Sequence, residues 1–173
     1  YDMSEKLIDA ETFYRLAIDA NPDNANAYYQ YGIFVQAKGD LNEAVNNFRK
    51  ATNLKQGFYQ AHHLLGKVFV EMGKEGEATK EFILSLENDK NNPALHLDLG
   101  KLYLIMNNLP KAEYHFEKIF KLAPQDFYLP SKVGKLYEEK GVLDKSIRFY
   151  KIAGTVQPKN DSIQSILGNL YYQ

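Results

Sequence analysis

The stretch YYQYGIFVQAKGDLNEAVNNFRKAT, from Tyr28 to Thr52, combines two helical patterns with two glycines. Its apolar residues recur at the three- and four-residue spacing of an amphipathic helix, yet Gly32 falls in the middle of one pattern. A glycine inside a helix costs about 1 kcal/mol relative to alanine. The rest of the chain must therefore give Gly32 a use that outweighs this cost.

The glycine recurs along the whole chain at an interval of 34 residues, at Gly32, Gly66, Gly100, Gly134 and Gly168. A small residue follows twelve places later, at Ala44, Ala78, Ala112 and Ser146. An aromatic residue follows four places after that, at Phe48, Phe82, Phe116 and Tyr150. No insertion interrupts the period, so the chain is a tandem repeat.

A 34-residue period with two helical halves is the pattern of the tetratricopeptide repeat, and the chain resembles that family over essentially its whole length. The resemblance implies an all-α fold, a right-handed superhelical solenoid of antiparallel helix pairs. The first helix of each pair (helix A) would line most of its concave face. It also gives the glycine, the small residue and the aromatic residue structural roles. The glycine of helix A and the small residue of helix B let the two backbones approach, and the aromatic residue fills the space between repeats.

The period predicts a single array over residues 1–173. Residues 1–22 hold the second half of an incomplete repeat, and residues 161–173 hold the first helix of a further one. Between them lie four full repeats, 25–58, 59–92, 93–126 and 127–160. The predicted helices are 4–19, 25–38, 41–54, 59–72, 75–88, 93–106, 109–122, 127–140, 143–156 and 162–172. Turn residues that need a left-handed backbone fall between helices A and B, at Gly39, Gly73, Asn107 and Gly141.

Two places depart from the period. Pro130 lies four residues before Gly134, and two interpretations stay open. One is a proline tolerated in the first turn of helix A. The other is a helix A that starts near Pro130, with Phe127 to Leu129 extended and with Phe127 and Tyr128 displayed for a partner. The last helix, DSIQSILGNLYYQ, carries an apolar stripe that no following helix covers. We expect either a piece of a longer array or a surface that pairs with another chain.

The composition is that of a folded protein. The chain is 45% hydrophobic and 25% charged, the ordinary mix of a globular domain. The net charge of −1 gives no basic field for nucleic acid or an anionic membrane, and no apolar run approaches the roughly 20 residues of a membrane span. The absence of cysteine excludes disulfides and thiolate sites. We therefore expect a cytoplasmic protein that neither binds nucleic acid nor inserts into membranes.

Candidates for catalysis are scarce. No glycine-rich phosphate loop is present. His62 and His96 fall at the place that tryptophan usually holds in the family, so we expect packing residues there, with His63 facing the groove and His115 on the surface. No carboxylate recurs at a matching place near these histidines, and serine has no base in phase. The prediction is a non-enzyme with no catalytic residue, no metal and no cofactor.

The resemblance implies that ligand contacts come mainly from helix A residues three before, one after and four after the packing glycine. Lys67, Lys101 and Lys135 form a lysine ladder at the roughly 10 Å spacing expected of stacked helix pairs. Such a surface suits a peptide with apolar anchors and some acidic character, although lysines also keep an exposed face soluble. The predicted peptide-binding groove comprises Tyr29, Ile33, His63, Lys67, Val70, Leu97, Lys101, Leu104, Lys132, Lys135 and Glu138.

The leading hypothesis is a non-catalytic scaffold that binds a peptide or protein segment in this groove. A co-chaperone carboxylate clamp does not fit, because Tyr29 and Ile33 stand where it needs lysine and asparagine. The asparagine ladder of O-linked N-acetylglucosamine transferases is also missing. The residues at its places here are Gln30, Leu64, Asp98, Lys132 and Ile166. Two alternatives stay open. One is a recognition module of a larger enzyme such as a glycosyltransferase. The other is a pilotin or organelle scaffold that self-associates through uncapped ends.

Overall fold

The computed structural model describes residues 3–172, with side chains from residue 10 onwards, and the described part of the chain is helical apart from turns. Its ten α-helices are α1 (Met3–Ala20), α2 (Ala25–Ala37), α3 (Leu41–Leu54), α4 (Tyr59–Glu71), α5 (Glu75–Asn88), α6 (Pro93–Ile105), α7 (Leu109–Leu122), α8 (Tyr128–Glu139), α9 (Leu143–Val156) and α10 (Asp161–Tyr172). Every bound lies within one residue of its predicted position. The all-α fold class is confirmed.

The chain forms two compact lobes, one ending at Lys90 and the other beginning at Asn91. The first lobe holds α1 to α5, with the hairpins α2–α3 and α4–α5. The second lobe holds α6 to α10, with the hairpins α6–α7 and α8–α9. By the period, α1 is a B-type helix and α10 an A-type helix. That all of these elements continue as a single array remains a prediction.

Each hairpin turn has the backbone geometry that the sequence predicts. The φ angles of Gly39, Gly73, Asn107 and Gly141 are 88°, 67°, 58° and 76°. After α2, the Asp40 N–H donates to the Val35 carbonyl at 3.0 Å and the Gly39 N–H to the Gln36 carbonyl at 2.9 Å. This pair of bonds is the Schellman motif, which satisfies the last carbonyls of a helix. The prediction of left-handed turn residues is confirmed.

Side chains also define the helix starts. Oδ1 of Asn24 accepts from the Asn26 and Ala27 N–H groups, and Oδ1 of Asn92 caps α6 in the same way before Pro93. Oδ1 of Asp40 accepts from the Glu43 N–H at 3.0 Å, half of the capping box that the sequence indicates. The Glu43 carboxylate instead accepts the Tyr31 O–H at 2.8 Å, which ties α2 to α3.

Of the two interpretations of Pro130, the tolerated first-turn proline is confirmed, and the displaced start of α8 is wrong. The helix begins at Tyr128, and Phe127 before it has the helical angles φ −84° and ψ −35°. Pro130 sits in the first turn, where backbone N–H groups have no intrahelical acceptor and the missing donor costs nothing. Oδ1 of Asp126 accepts from the Leu129 N–H at 2.7 Å and caps this turn.

The packing glycine faces an aromatic ring of helix B, and the close approach of the two backbones remains a prediction. A Cβ on Gly100 would lie 2.2 Å from the Phe116 ring. The corresponding distances are 2.7 Å for Gly32 to Phe48, 2.6 Å for Gly66 to Phe82 and 3.0 Å for Gly134 to Tyr150. The Phe116 ring also lies 5.5 Å from the Tyr137 ring of α8, so it bridges its own repeat and the next. The small residues Ala44, Ala78, Ala112 and Ser146 are fully buried.

The apolar stripe of α10 is largely covered, contrary to expectation. Ile163 and Leu170 are buried in a cluster with Tyr150 and Ala153 of α9. Only the end of the stripe stays open. Tyr171 is 61% exposed, and a Cβ on Gly168 would meet nothing within 4 Å.

Candidate functional site

The predicted groove residues of the first lobe are mostly half-buried on their A helices. The Tyr29 ring lies 5.0 Å from the Phe58 ring, and the His63 ring stands edge-on to Phe82 at 5.7 Å. Ile33 and Val70 are half-buried as well, and Lys67 is exposed. These side chains are thus held by packing at one end and reach the surface at the other.

In the second lobe the predicted set divides into buried and accessible members. Leu97 and Leu104 are each only 5% exposed. Lys101 and Lys132 are half-buried, and Lys135 and Glu138 are exposed. The buried Leu97 side chain lines neither of the A-helix cavities described next, and its place in a groove remains a prediction.

Two cavities lie between consecutive A-type helices of the second lobe. The cavity between α6 and α8, of about 310 Å³, is lined by Lys101, Leu104, Ile105, Leu136, Glu139 and Lys140. The cavity between α8 and α10 measures about 550 Å³. Its lining includes Phe127, Tyr128, Ser131, Lys132 and Lys135, together with Ser162 and Ile166 of α10. We call the second one the α8–α10 cavity.

The lysines at these cavities have only weak carboxylate partners. Nζ of Lys101 lies 3.7 Å from the Asp98 carboxylate, and Nζ of Lys135 lies 3.9 Å from Glu139 with both side chains more than half exposed. Exposed pairs at such distances contribute at most about 1 kcal/mol. Both ammonium groups can therefore exchange their partner for a ligand. The full lysine ladder remains a prediction, since Lys67 belongs to the first lobe.

The α8–α10 cavity has an aromatic wall. Tyr128 is 63% exposed, and the Lys132 ammonium lies 5.3 Å from its ring centre. At the base of the cavity the Tyr150 O–H donates to the Glu138 carboxylate at 3.0 Å. Burial, with the Glu138 hydrogen bond adding to it, raises the pKa of Tyr150, so this phenol stays protonated at physiological pH.

The histidines form contacts that sequence reasoning missed. Nδ1 of His62 lies 2.7 Å from the Glu81 carboxylate, although no matching carboxylate was expected. Nδ1 of His96 lies 3.0 Å from Nδ1 of His115, whose ring stacks on Tyr103 at 5.6 Å. His115 is therefore partly buried and not a surface residue. Both pairs are nineteen residues apart, and this repeated offset within a hairpin was the available signal.

His115 packs as a neutral ring in the second histidine pair. Burial, with electrostatic contributions from His96, Lys111 and Lys118, lowers the pKa of His115 to about 4. In the part of the chain that the structure describes, no three His, Asp or Glu side chains come together in a way that could hold a metal ion.

An ionic cluster on α7 and α9 was also not predicted. The Glu113 carboxylate accepts from Lys145 and, at 2.8 Å, from Arg148, and Arg148 also donates to Glu117 at 2.7 Å. Glu113 and Arg148 are 35 residues apart, one period plus one. These contacts stabilise the stacking of consecutive B helices and lie on the other side of the hairpins from the cavities.

Comparisons with known proteins agree with this architecture. One family model, described as a tetratricopeptide repeat, matches residues 13–46, and another, described as a TPR repeat, matches residues 36–73. The Saccharomyces cerevisiae protein "Anaphase-promoting complex subunit CDC16" is 21% identical over 99% of this chain and 21% of its own length.

Solved structures with a similar fold cover more than nine tenths of this chain. MamA is 21% identical with a TM-score of 0.76, over 92% of this chain and 96% of that one. YrrB, described as a TPR protein with an unusual peptide-binding site, is 21% identical with a TM-score of 0.72, over 94% and 84% of the two chains. At this identity the likeness shows the fold.

The helical hairpins have similar lengths, and an aromatic ring packs on a glycine in each full repeat. These features define a helical-repeat protein. The chain belongs to the tetratricopeptide-repeat family. Members of this family are mostly non-catalytic scaffolds. The chain spans between 21% and 28% of the length of the first curated relatives that it matches. Across the described residues, none of the helices has the length and apolar character needed to span a bilayer.

Proposed function

We propose that this chain is a non-catalytic protein-interaction scaffold that holds a peptide or protein segment against its A helices. The observation that carries the proposal is the position of the two cavities, because both open between consecutive A-type helices, at α6–α8 and α8–α10. Concave sites of this size, with apolar walls and a few polar groups, are the usual form of a ligand site.

The residue types at the A-helix surface suit a peptide. Tyr29 presents a ring that packs against Phe58, and Tyr128 presents an exposed ring. Lys67 and Lys135 present exposed cations. Aromatic anchors with a charged rim are typical of protein interfaces. YrrB, which shares the fold, is described as having a peptide-binding site, and this supports the same use here.

A charge-reversal experiment tests the proposal. The groove variant K67E/K101E/K135E alters the lysine ladder, and the control variant K50E/K80E/K121E makes the same charge change on the B helices α3, α5 and α7. We expect proteins captured from lysate by the unmodified chain to be captured by the control and lost by the groove variant. Equal capture by both variants, with unchanged helicity by circular dichroism, would reject the proposal.

A second candidate is self-association through the faces of α1 and α10. Phe13 is 69% exposed, whereas Asn47 and Phe149 at the same place of complete repeats are buried. Tyr171 is likewise exposed where Val35 and Tyr137 are buried. Light scattering across a concentration series tests this candidate, and a constant monomer mass would remove it.

A further inference from the structure

We propose that the α8–α10 cavity binds an acidic segment that carries one aromatic or long aliphatic side chain. The inference rests on the proposed function and names the chemistry of the ligand and the place where it is anchored. It is carried by the size of the cavity, the apolar base and the sign of the charges around it.

The apolar base of the cavity is part of the core of the second lobe. Ile163 and Tyr150 are buried members of the cluster that joins α9 to α10, and Phe127 and Ile166 pack against the same cluster while lining the cavity. A ligand side chain placed here contacts groups that are already fixed by packing. These cavity side chains lose little conformational entropy when a ligand binds, which favours a ligand with a rigid anchor residue. A volume of about 550 Å³ leaves room for an aromatic ring and part of the adjoining backbone.

Both charged side chains that line the cavity are positive. Lys132 and Lys135 are the charged members of its lining among the described residues. The Lys132 ammonium is held over the Tyr128 ring at 5.3 Å, and Lys135 has the distant exposed partner Glu139. The nearby Glu138 accepts the Tyr150 O–H. An acidic segment would therefore meet two cations above an apolar base, whereas a basic segment would meet like charges.

The neighbouring cavity shows that this pattern is specific. The α6–α8 cavity is smaller, at about 310 Å³, and Glu139 lines it together with Lys101 and Lys140. Its charges are mixed, so it offers no comparable preference for an acidic ligand. The preference thus belongs to α8 and α10 and not to the A-helix face in general.

Three short fluorescein-labelled probe peptides test the inference by fluorescence polarisation. The first has Phe flanked by Asp and Glu, the second has Gly in place of that Phe, and the third has the Phe flanked by Lys. We expect the first to bind the unmodified protein at least about tenfold more tightly than either of the others. Raising the salt concentration should weaken this binding, because exposed charges are screened.

Matched variants locate the binding. K132E/K135E reverses the cavity charges, and Ser162→Trp fills the cavity without changing charge. We expect each to weaken the first probe by about tenfold or more. K80E/K121E makes the same charge change on the B helices α5 and α7, outside the cavity lining, and should leave the affinity unchanged. Circular dichroism and urea midpoints verify that each variant folds.

The possible failures are distinguishable. Equal binding of the Phe and Gly acidic probes, or equal weakening by K80E/K121E and K132E/K135E, would overturn the inference. If the Lys-flanked probe binds and Ser162→Trp abolishes it, the cavity takes a peptide of the wrong charge, so the inference falls and the scaffold proposal stands. If no probe binds, the inference falls as well. The lysate comparison of the two triple variants then decides the scaffold proposal separately.

Discussion

The ring of Phe116 occupies the space that a side chain at residue 100 would need. A glycine is therefore required there by the neighbouring ring, and its helix-forming cost of about 1 kcal/mol is offset by burial of a whole aromatic side chain. The period revealed the coupled places sixteen residues apart. It could not reveal that the ring of helix B is the group nearest to the glycine.

Substitution at two glycines of the same register tests this role. Gly100→Ala places a Cβ 2.2 Å from a fully buried ring, so we expect a net loss of about 1–2 kcal/mol in the free energy of unfolding. Gly168→Ala meets open space in a helix and should be neutral or stabilising by up to about 1 kcal/mol. Urea unfolding with an unchanged m value measures both. Equal effects at the two sites would contradict the ring-contact explanation.

The lowered pKa of His115 predicts how the stability of the protein changes with pH. Its pKa is about 4 in the folded protein against an ordinary value of 6.5, because burial, His96, Lys111 and Lys118 all disfavour the charged ring. Between these values the unfolded chain binds more protons, so stability must fall as pH decreases from about 6.5 towards 4. By pH 5 this effect amounts to at most about 2 kcal/mol.

The His115→Gln variant isolates this contribution. Unfolding free energies at pH 7.5 and pH 5 should differ less in the variant than in the unmodified protein, since the glutamine has no proton to gain. An identical pH dependence in both proteins would show that His115 is not held neutral by the fold.

At the scale of secondary-structure elements, the helix bounds follow from turn residues and capping residues that can be recognised in the sequence. Left-handed turn residues and Asn or Asp caps recur in register, so nearly every helix end was predictable. At α8 the sequence left two interpretations of Pro130 open. The structure decides between them, because Asp126 caps the first turn and the proline is tolerated within it.

Two glycines around one turn separate backbone strain from helix propensity. Gly73 has a φ of 67°, a conformation that alanine adopts at a cost of about 1–2 kcal/mol, so Gly73→Ala should destabilise by about 1 kcal/mol. Gly76 lies inside α5 with open space around it, and Gly76→Ala should stabilise by up to about 1 kcal/mol. Thermal unfolding resolves opposite signs. Unchanged or increased stability of Gly73→Ala would refute the explanation for Gly73, and a loss of stability in Gly76→Ala would refute the one for Gly76.

At the scale of the whole molecule, the fold was more predictable than the candidate site. The fold depends on which residue types recur, and this is visible in one sequence. The site depends on which side chains neighbouring helices leave open. The buried Leu97 and the accessible Lys135 both occupy groove places of the same period. The α8–α10 cavity likewise joins residues of three helices, α8, α9 and α10, and of the turn between α9 and α10, which no single helix pattern displays.

The contact between His62 and Glu81 has a further consequence for a chain built of similar hairpins. Such chains risk mispairing during folding, when a helix B meets the helix A of another repeat. At the place of His62 the other repeats have Tyr28, His96, Pro130 and Gln164, and Pro130 is the residue among these with no side-chain donor for the mostly buried Glu81 carboxylate. A partly desolvated charge with no partner is costly. We therefore expect the pair to disfavour the mispairing of α5 with α8.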